Sequence, residues 1–182
     1  MKRNLVLAAV FALVAFAMTA TAQKAPNFSG TWNLDVSKSK LGDNNRIESQ
    51  TLTVAQTSTD IKITTSTKRT PPPAGAPTGG GGGGRMGGGD QTVSYTFGKD
   101  TKVDMTMGQN TVPVTYSSKW DGSKLNLSSS RTMTPPQGDP ITFTSKETWE
   151  LGSDGKTLTV NAERTGRGGT VTSTTSVYNK AQ

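Results

Sequence analysis

The chain of 182 residues contains no cysteine and no histidine. Without cysteine there can be no disulfide, no thiolate nucleophile and no lipid-anchored lipoprotein terminus. Without histidine, a Ser-His-Asp triad, a Cys-His dyad and most zinc sites are out of reach. Catalysis would be left to carboxylates, Lys, Tyr, Ser and Thr, and the expectation is a protein that is not an enzyme and carries no cofactor or metal. Long apolar runs are also scarce. The one that exists, Leu5 to Met18, follows Lys2 and Arg3 and precedes Ala20-Thr21-Ala22. It is shorter than the roughly 20 apolar residues a membrane span requires. A basic start, a short apolar stretch and a small-x-small site describe a cleaved secretory signal over residues 1–22, cut near Ala22-Gln23. The mature chain is then expected to be periplasmic or secreted and not membrane-spanning.

What remains, residues 23–182, has the length of one domain. The formal charge of the whole chain is +7, and Lys2 and Arg3 account for two of it. The basic residues are scattered, and no basic stripe alternates with aromatics, so nucleic acid is not an expected partner. Helix-favouring Leu and Ala are rare after the signal, whereas Thr and Ser are abundant, which favours strands. Period-two alternation recurs at Trp32–Leu34, Leu52–Val54, Ile61–Ile63, Val93–Phe97, Val103–Met107, Val112–Trp120, Leu125–Leu127, Ile141–Leu151, Leu158–Val160 and Val171–Tyr178. Between these runs stand turn residues such as Gly98-Lys99-Asp100, Asp121-Gly122 and Asp154-Gly155, where positive φ is cheap. Short links between alternating strands imply antiparallel neighbours. Each strand has one apolar face, and no helix-rich segment exists to cover it, so the sheet must curl on itself. The fold class expected is all-β, an antiparallel up-and-down meander barrel of about 8–10 strands, with an antiparallel sandwich as the alternative. An outer-membrane barrel would need a lipid-facing apolar band where this chain has Thr and Ser.

Residues 70–90 interrupt the pattern with ten glycines and four prolines. Three strands precede the stretch, too few for a core, so it reads as a disordered Gly/Pro-rich loop within one domain. It lacks the Gly-Lys-Ser/Thr that opens a phosphate-binding helix.

Asn27-Phe28-Ser29-Gly30-Thr31-Trp32 is the sharpest local motif. Gly30 permits close backbone approach, and Phe28 and Trp32 are suited to plug a closed barrel end. This stretch resembles the Gly-x-Trp entry of the lipocalins and the related fatty-acid-binding proteins. Lys40-Leu41-Gly42 resembles small secreted lipocalin-like proteins of bacteria, and Val177–Lys180 resembles the closing strand of the fatty-acid-binding group. The resemblance implies a calycin-type barrel and, as in lipocalins, an Arg near the chain end packed over the entry Trp, a place Arg164 can fill. Fatty-acid-binding proteins carry a carboxylate-holding Arg two residues before the closing Tyr, where this chain has Ser176. The helix pair that caps their barrels also has no counterpart between Leu34 and Ile47.

Two strands offer candidate binding residues. Counting by twos, Tyr116, Ser118 and Trp120 share a face, as do Phe143, Ser145, Glu147 and Trp149. A buried Glu needs a partner or a proton. Either Glu147 points inward as a polar handle, or a β-bulge near Ser145 turns it to solvent. Trp120, Trp149, Met105 and Met107 also suit a core. Asp121–Ser123 and Gly152–Lys156 lack the ligand pattern of a calcium loop and read as turns. Glu147 and Glu150 lie three apart on a strand, so they face opposite sides and do not form a glycosidase pair. The function expected is binding of a small apolar or amphipathic ligand without chemistry. The alternative is a solidly packed interaction module for a protein or glycan.

Overall fold

The computed structural model describes residues 25–42, 45–71, 90–107, 110–135 and 138–182. The expected signal segment, most of the glycine run and the side chain of Met107 lie outside the described residues. The strands are β1 (Gly30–Leu34), β2 (Ile47–Gln56), β3 (Asp60–Arg69), β4 (Gln91–Thr96) and β5 (Thr101–Met107), then β6 (Asn110–Asp121), β7 (Lys124–Met133), β8 (Ile141–Leu151), β9 (Thr157–Thr165) and β10 (Val171–Lys180). All ten form one antiparallel sheet in the order β4-β3-β2-β1-β10-β9-β8-β7-β6-β5. Every alternating run in the sequence becomes a strand. Among the described residues the only helical pieces are two 3-10 turns, Val36–Lys38 and Arg167–Gly169. No helix among them is long and apolar enough to cross a membrane.

The meander closes where the first strand meets the last, with Trp32 opposite Lys180 and Leu34 opposite Tyr178. Closure is nearly complete, with one opening: β4 and β5 pair with β3 and β6 respectively but not with each other. At their connecting turn the end of β4 is tied to β6. Ser118 Oγ donates to the Thr96 carbonyl at 2.9 Å, and Gly98 N–H donates to the Ser118 carbonyl at 3.0 Å. With the end of β4 satisfied there, the two strands part above it.

Local chemistry sets the tight turns. The β6–β7 hairpin has two residues in its loop, and Gly122 holds φ at +58°, a conformation that suits glycine. At the β8–β9 turn Asp154 accepts from the Lys156 and Thr157 amides at 2.8 and 3.0 Å. Those backbone bonds, led by the one from Lys156, hold its carboxyl below the usual range.

The core fills the lower half of the barrel. Phe28, Trp32, Ile61, Leu125 and Leu158 are fully buried, and Leu127 and Trp149 nearly so. Burying one such side chain contributes about 1.5–3 kcal/mol. Met105, a core candidate by alternation, is instead 37% exposed, because β5 borders the opening and has no second neighbour to cover its inner face.

Candidate functional site

The floor of the barrel is built from the entry motif. Trp32 Nε1 donates to the Phe28 carbonyl at 2.8 Å, which folds the entering chain under the sheet. The Phe28 ring stacks on Trp120 at 5.9 Å and meets Trp149 edge-on at 5.8 Å. Phe97 leans against the other side of Trp120 at 5.4 Å. Gln56 ties the same segment down, accepting from the Phe28 amide and donating to the Pro26 carbonyl, both at 2.9 Å. Over the Trp32 ring sits the Lys180 ammonium at 5.3 Å. This corrects the expectation for Arg164: in register, Lys180 lies directly opposite Trp32, whereas Arg164 points into the barrel two strands away. Gly30, with φ at +134°, lets the Lys180 stem pass; a Cβ there would come within 3.0 Å of Lys180 Cε.

Above the plug small and polar side chains take over part of the inner face, and the interior opens. A cavity of about 450 Å³ lies between the β1–β4 wall and β8–β10. Its apolar walls are Leu52, Ile63, Val93, Tyr95, Trp149, Val160, Ala162 and Tyr178, with Leu41 and Ile47 nearer the mouth. Its polar groups are Asn45, Gln50, Thr65, Arg69, Glu147, Arg164, Thr172, Thr174 and Ser176. The space exists because Thr65, Ala162, Thr174 and Ser176 occupy positions where large apolar side chains would have closed the core, as Leu125 and Leu158 do lower down.

Several of these polar groups are engaged by neighbouring side chains. Tyr178 donates its hydroxyl to Gln50 Oε1 at 2.6 Å, and Gln50 Nε2 donates to Thr67 Oγ1 at 2.8 Å. Glu147 is held from two sides: Trp149 Nε1 donates to Oε2 at 3.1 Å, and Arg164 Nη2 to Oε1 at 3.3 Å. The pairing of β8 with β7 and β9 runs without a register shift from Thr144 to Leu151. No bulge turns Glu147 outward; it shares the inner face with Trp149. Glu150 points the other way and pairs with Lys124 at 3.0 Å on the outer surface.

All seven binding candidates from the sequence lie on the inner face, but they do not gather around one space. Glu147 and Trp149 line the cavity. Trp120 belongs to the plug. Tyr116 is buried edge-to-face against Tyr95 at 5.4 Å, and Ser118 is buried on the Thr96 carbonyl. Phe143 lies under the Arg131 guanidinium at 5.1 Å. Ser145 stands opposite Ser129 and Arg164. The other half of the cavity comes from β2, β3 and β10: Gln50, Leu52, Ile63, Thr65 and Tyr178. Their alternation was visible in the sequence, but which strands face each other across the barrel was not.

A second, larger depression of about 840 Å³ lies on the outer side of β6–β10, among Ser117, Lys119, Asn126, Ser128, Lys146 and Glu163. Apart from Gly98, Leu127 and Ala162 its lining residues are polar or charged, so the large apolar and aromatic side chains that favour a small-molecule site are scarce there. Among the described residues no three His, Cys, Asp or Glu side chains are grouped to hold a metal ion.

No protein-family model matches the chain, and no curated protein matches it. Among solved structures it is similar to a Schistosoma mansoni fatty-acid-binding protein in complex with arachidonic acid, at 13% identity and a TM-score of 0.46, over 88% of this chain and 99% of that one. It is also similar to a fatty-acid-binding protein from Manduca sexta, at 15% identity and a TM-score of 0.44, over 84% of this chain and 99% of that one.

Proposed function

We propose that the chain is a secreted binding protein, released by cleavage near Ala22-Gln23, which holds one small apolar or amphipathic molecule inside its barrel and performs no chemistry on it. The observation that carries this reading is the interior cavity itself. About 450 Å³ falls within the range of small-molecule sites, and the lining combines apolar walls with a few placed polar groups. Its one carboxylate already accepts from an indole and a guanidinium. An apolar body therefore enters without stranding that charge, and a polar end finds Arg164 and the Thr172, Thr174 and Ser176 hydroxyls on the wall. A solid interaction module would need a filled interior, a condition that only the lower half of this barrel meets.

Native mass spectrometry of the mature protein, purified gently from its host compartment, tests the reading. The expected result is a stoichiometric small molecule that solvent extraction removes. Adding that extract back should then restore the bound mass and shift the emission of Trp149, the tryptophan on the cavity wall. A bare polypeptide mass with no uptake from a lipid panel would overturn it.

A further inference from the structure

We infer that the free edge of β5 is a docking edge for a second copy of this chain, pairing antiparallel about a two-fold axis at Val103. Among the described residues β5 pairs only with β6, so its other edge presents backbone donors and acceptors without a strand partner. Such an edge is a template for strand addition. It also carries apolar side chains: Val103 is 46% and Met105 37% exposed, although their cross-strand neighbours Val114 and Val112 are buried. A strand laid along the edge would cover them.

Charge selects the occupant. Lys102 and Asp104 flank Val103 on the opposite, solvent-facing side of the strand, and both are exposed. Against an unrelated strand, such charges discourage pairing. Against a second copy the outcome depends on register. Centring the pair on Lys102 sets Lys against Lys, and centring it on Asp104 sets Asp against Asp. Centring it on Val103 places Lys102 opposite the other copy's Asp104 twice over, with valine against valine on the inner side. Unlike charges directly opposite stabilise an antiparallel pair, and like charges destabilise it. The Val103 register alone satisfies both charges. The edge of β4 across the opening has no charged residue in Gln91–Thr96 and offers no such code. One strand per subunit is a small interface, so the dimer is a weak one.

Sedimentation velocity over rising concentrations of the mature protein gives the test. The wild type should self-associate reversibly in the micromolar range or above. Lys102→Asp alone and Asp104→Lys alone should each weaken association at least tenfold. An equimolar mixture of these two variants should recover association as a heterodimer, because every facing pair is then of opposite sign; this recovery also demonstrates that both variants are folded. The exchanged double variant, Lys102→Asp with Asp104→Lys, should recover it as a homodimer. A wild type that stays monomeric, single variants that associate as tightly as the wild type, or a mixture that recovers nothing would each overturn the proposal.

Discussion

Replacing Glu147 separates two interactions that the fold makes at one side chain. Its carboxylate meets a nearly buried indole N–H and a guanidinium that is 47% exposed, while its own side chain is 19% exposed. An ion pair with a partner so open to water contributes about 0–1 kcal/mol. A buried donor left without an acceptor costs about 1–3 kcal/mol. Glu147→Gln keeps an acceptor for Trp149 Nε1 and removes only the charge facing Arg164, so it should cost less than about 1 kcal/mol. Glu147→Leu preserves most of the side-chain volume but strands the indole, and should cost about 2 kcal/mol, or a fall in melting temperature of about 4–8 °C. Arg164→Ala should resemble Glu147→Gln. Urea titrations followed by far-UV circular dichroism, with the slope m unchanged across the set, give these differences. If Glu147→Gln costs as much as Glu147→Leu, the charge pair carries the energy and the reasoning from exposure fails. If Glu147→Leu is as mild as Glu147→Gln, the indole has another partner.

Three further predictions follow from the same geometry. Gly30→Ala should destabilise by about 1–3 kcal/mol in thermal melts because of its positive φ; the clash with the flexible Lys180 stem is minor, so adding Lys180→Ala should not rescue it. Ala162→Phe, placed on the cavity wall, should abolish uptake of the extracted molecule while leaving the circular dichroism spectrum unchanged; retained uptake would put the ligand elsewhere. Asp35 has its carboxyl held well below the usual range by the Ser37 hydroxyl first and by Lys38 next, with Asn179 also donating. Because the folded-state pKa is depressed, this stabilisation is present above the unfolded-state value of about 3.9 and fades as pH falls below it. The stability gap between wild type and Asp35→Asn should therefore narrow below about pH 4, and a gap independent of pH would refute the assignment.

How much could be read in advance depended on the range of the interaction involved. Ten strands and their antiparallel sense were legible because alternation and turn chemistry are local: each strand's facing is decided by its own residues, and each hairpin by the few between. The inward direction of Glu147 follows from the same count by twos once no bulge intervenes, and the Phe28–Trp32 plug from a motif six residues long. Nothing local told which inner residues would share a space. Tyr116 and Glu147 look equivalent in the sequence, yet one packs on Tyr95 and the other lines the cavity. Likewise the chain offers both Arg164 and Lys180 for the ring of Trp32, and only the β1–β10 register puts Lys180 there.

Composition and periodicity by themselves determined an all-β meander that must curl, since a sheet with one apolar face and no helices has nowhere else to bury it. Curling left open where the closure fails and where the interior stays empty. Those were decided in three dimensions. Ser118 and Gly98 tie the end of β4 and its turn to β6, and small side chains from strands distant in sequence converge above an aromatic floor. Both depend on pairing between residues far apart in the chain, and that pairing exists only when the whole sheet is assembled.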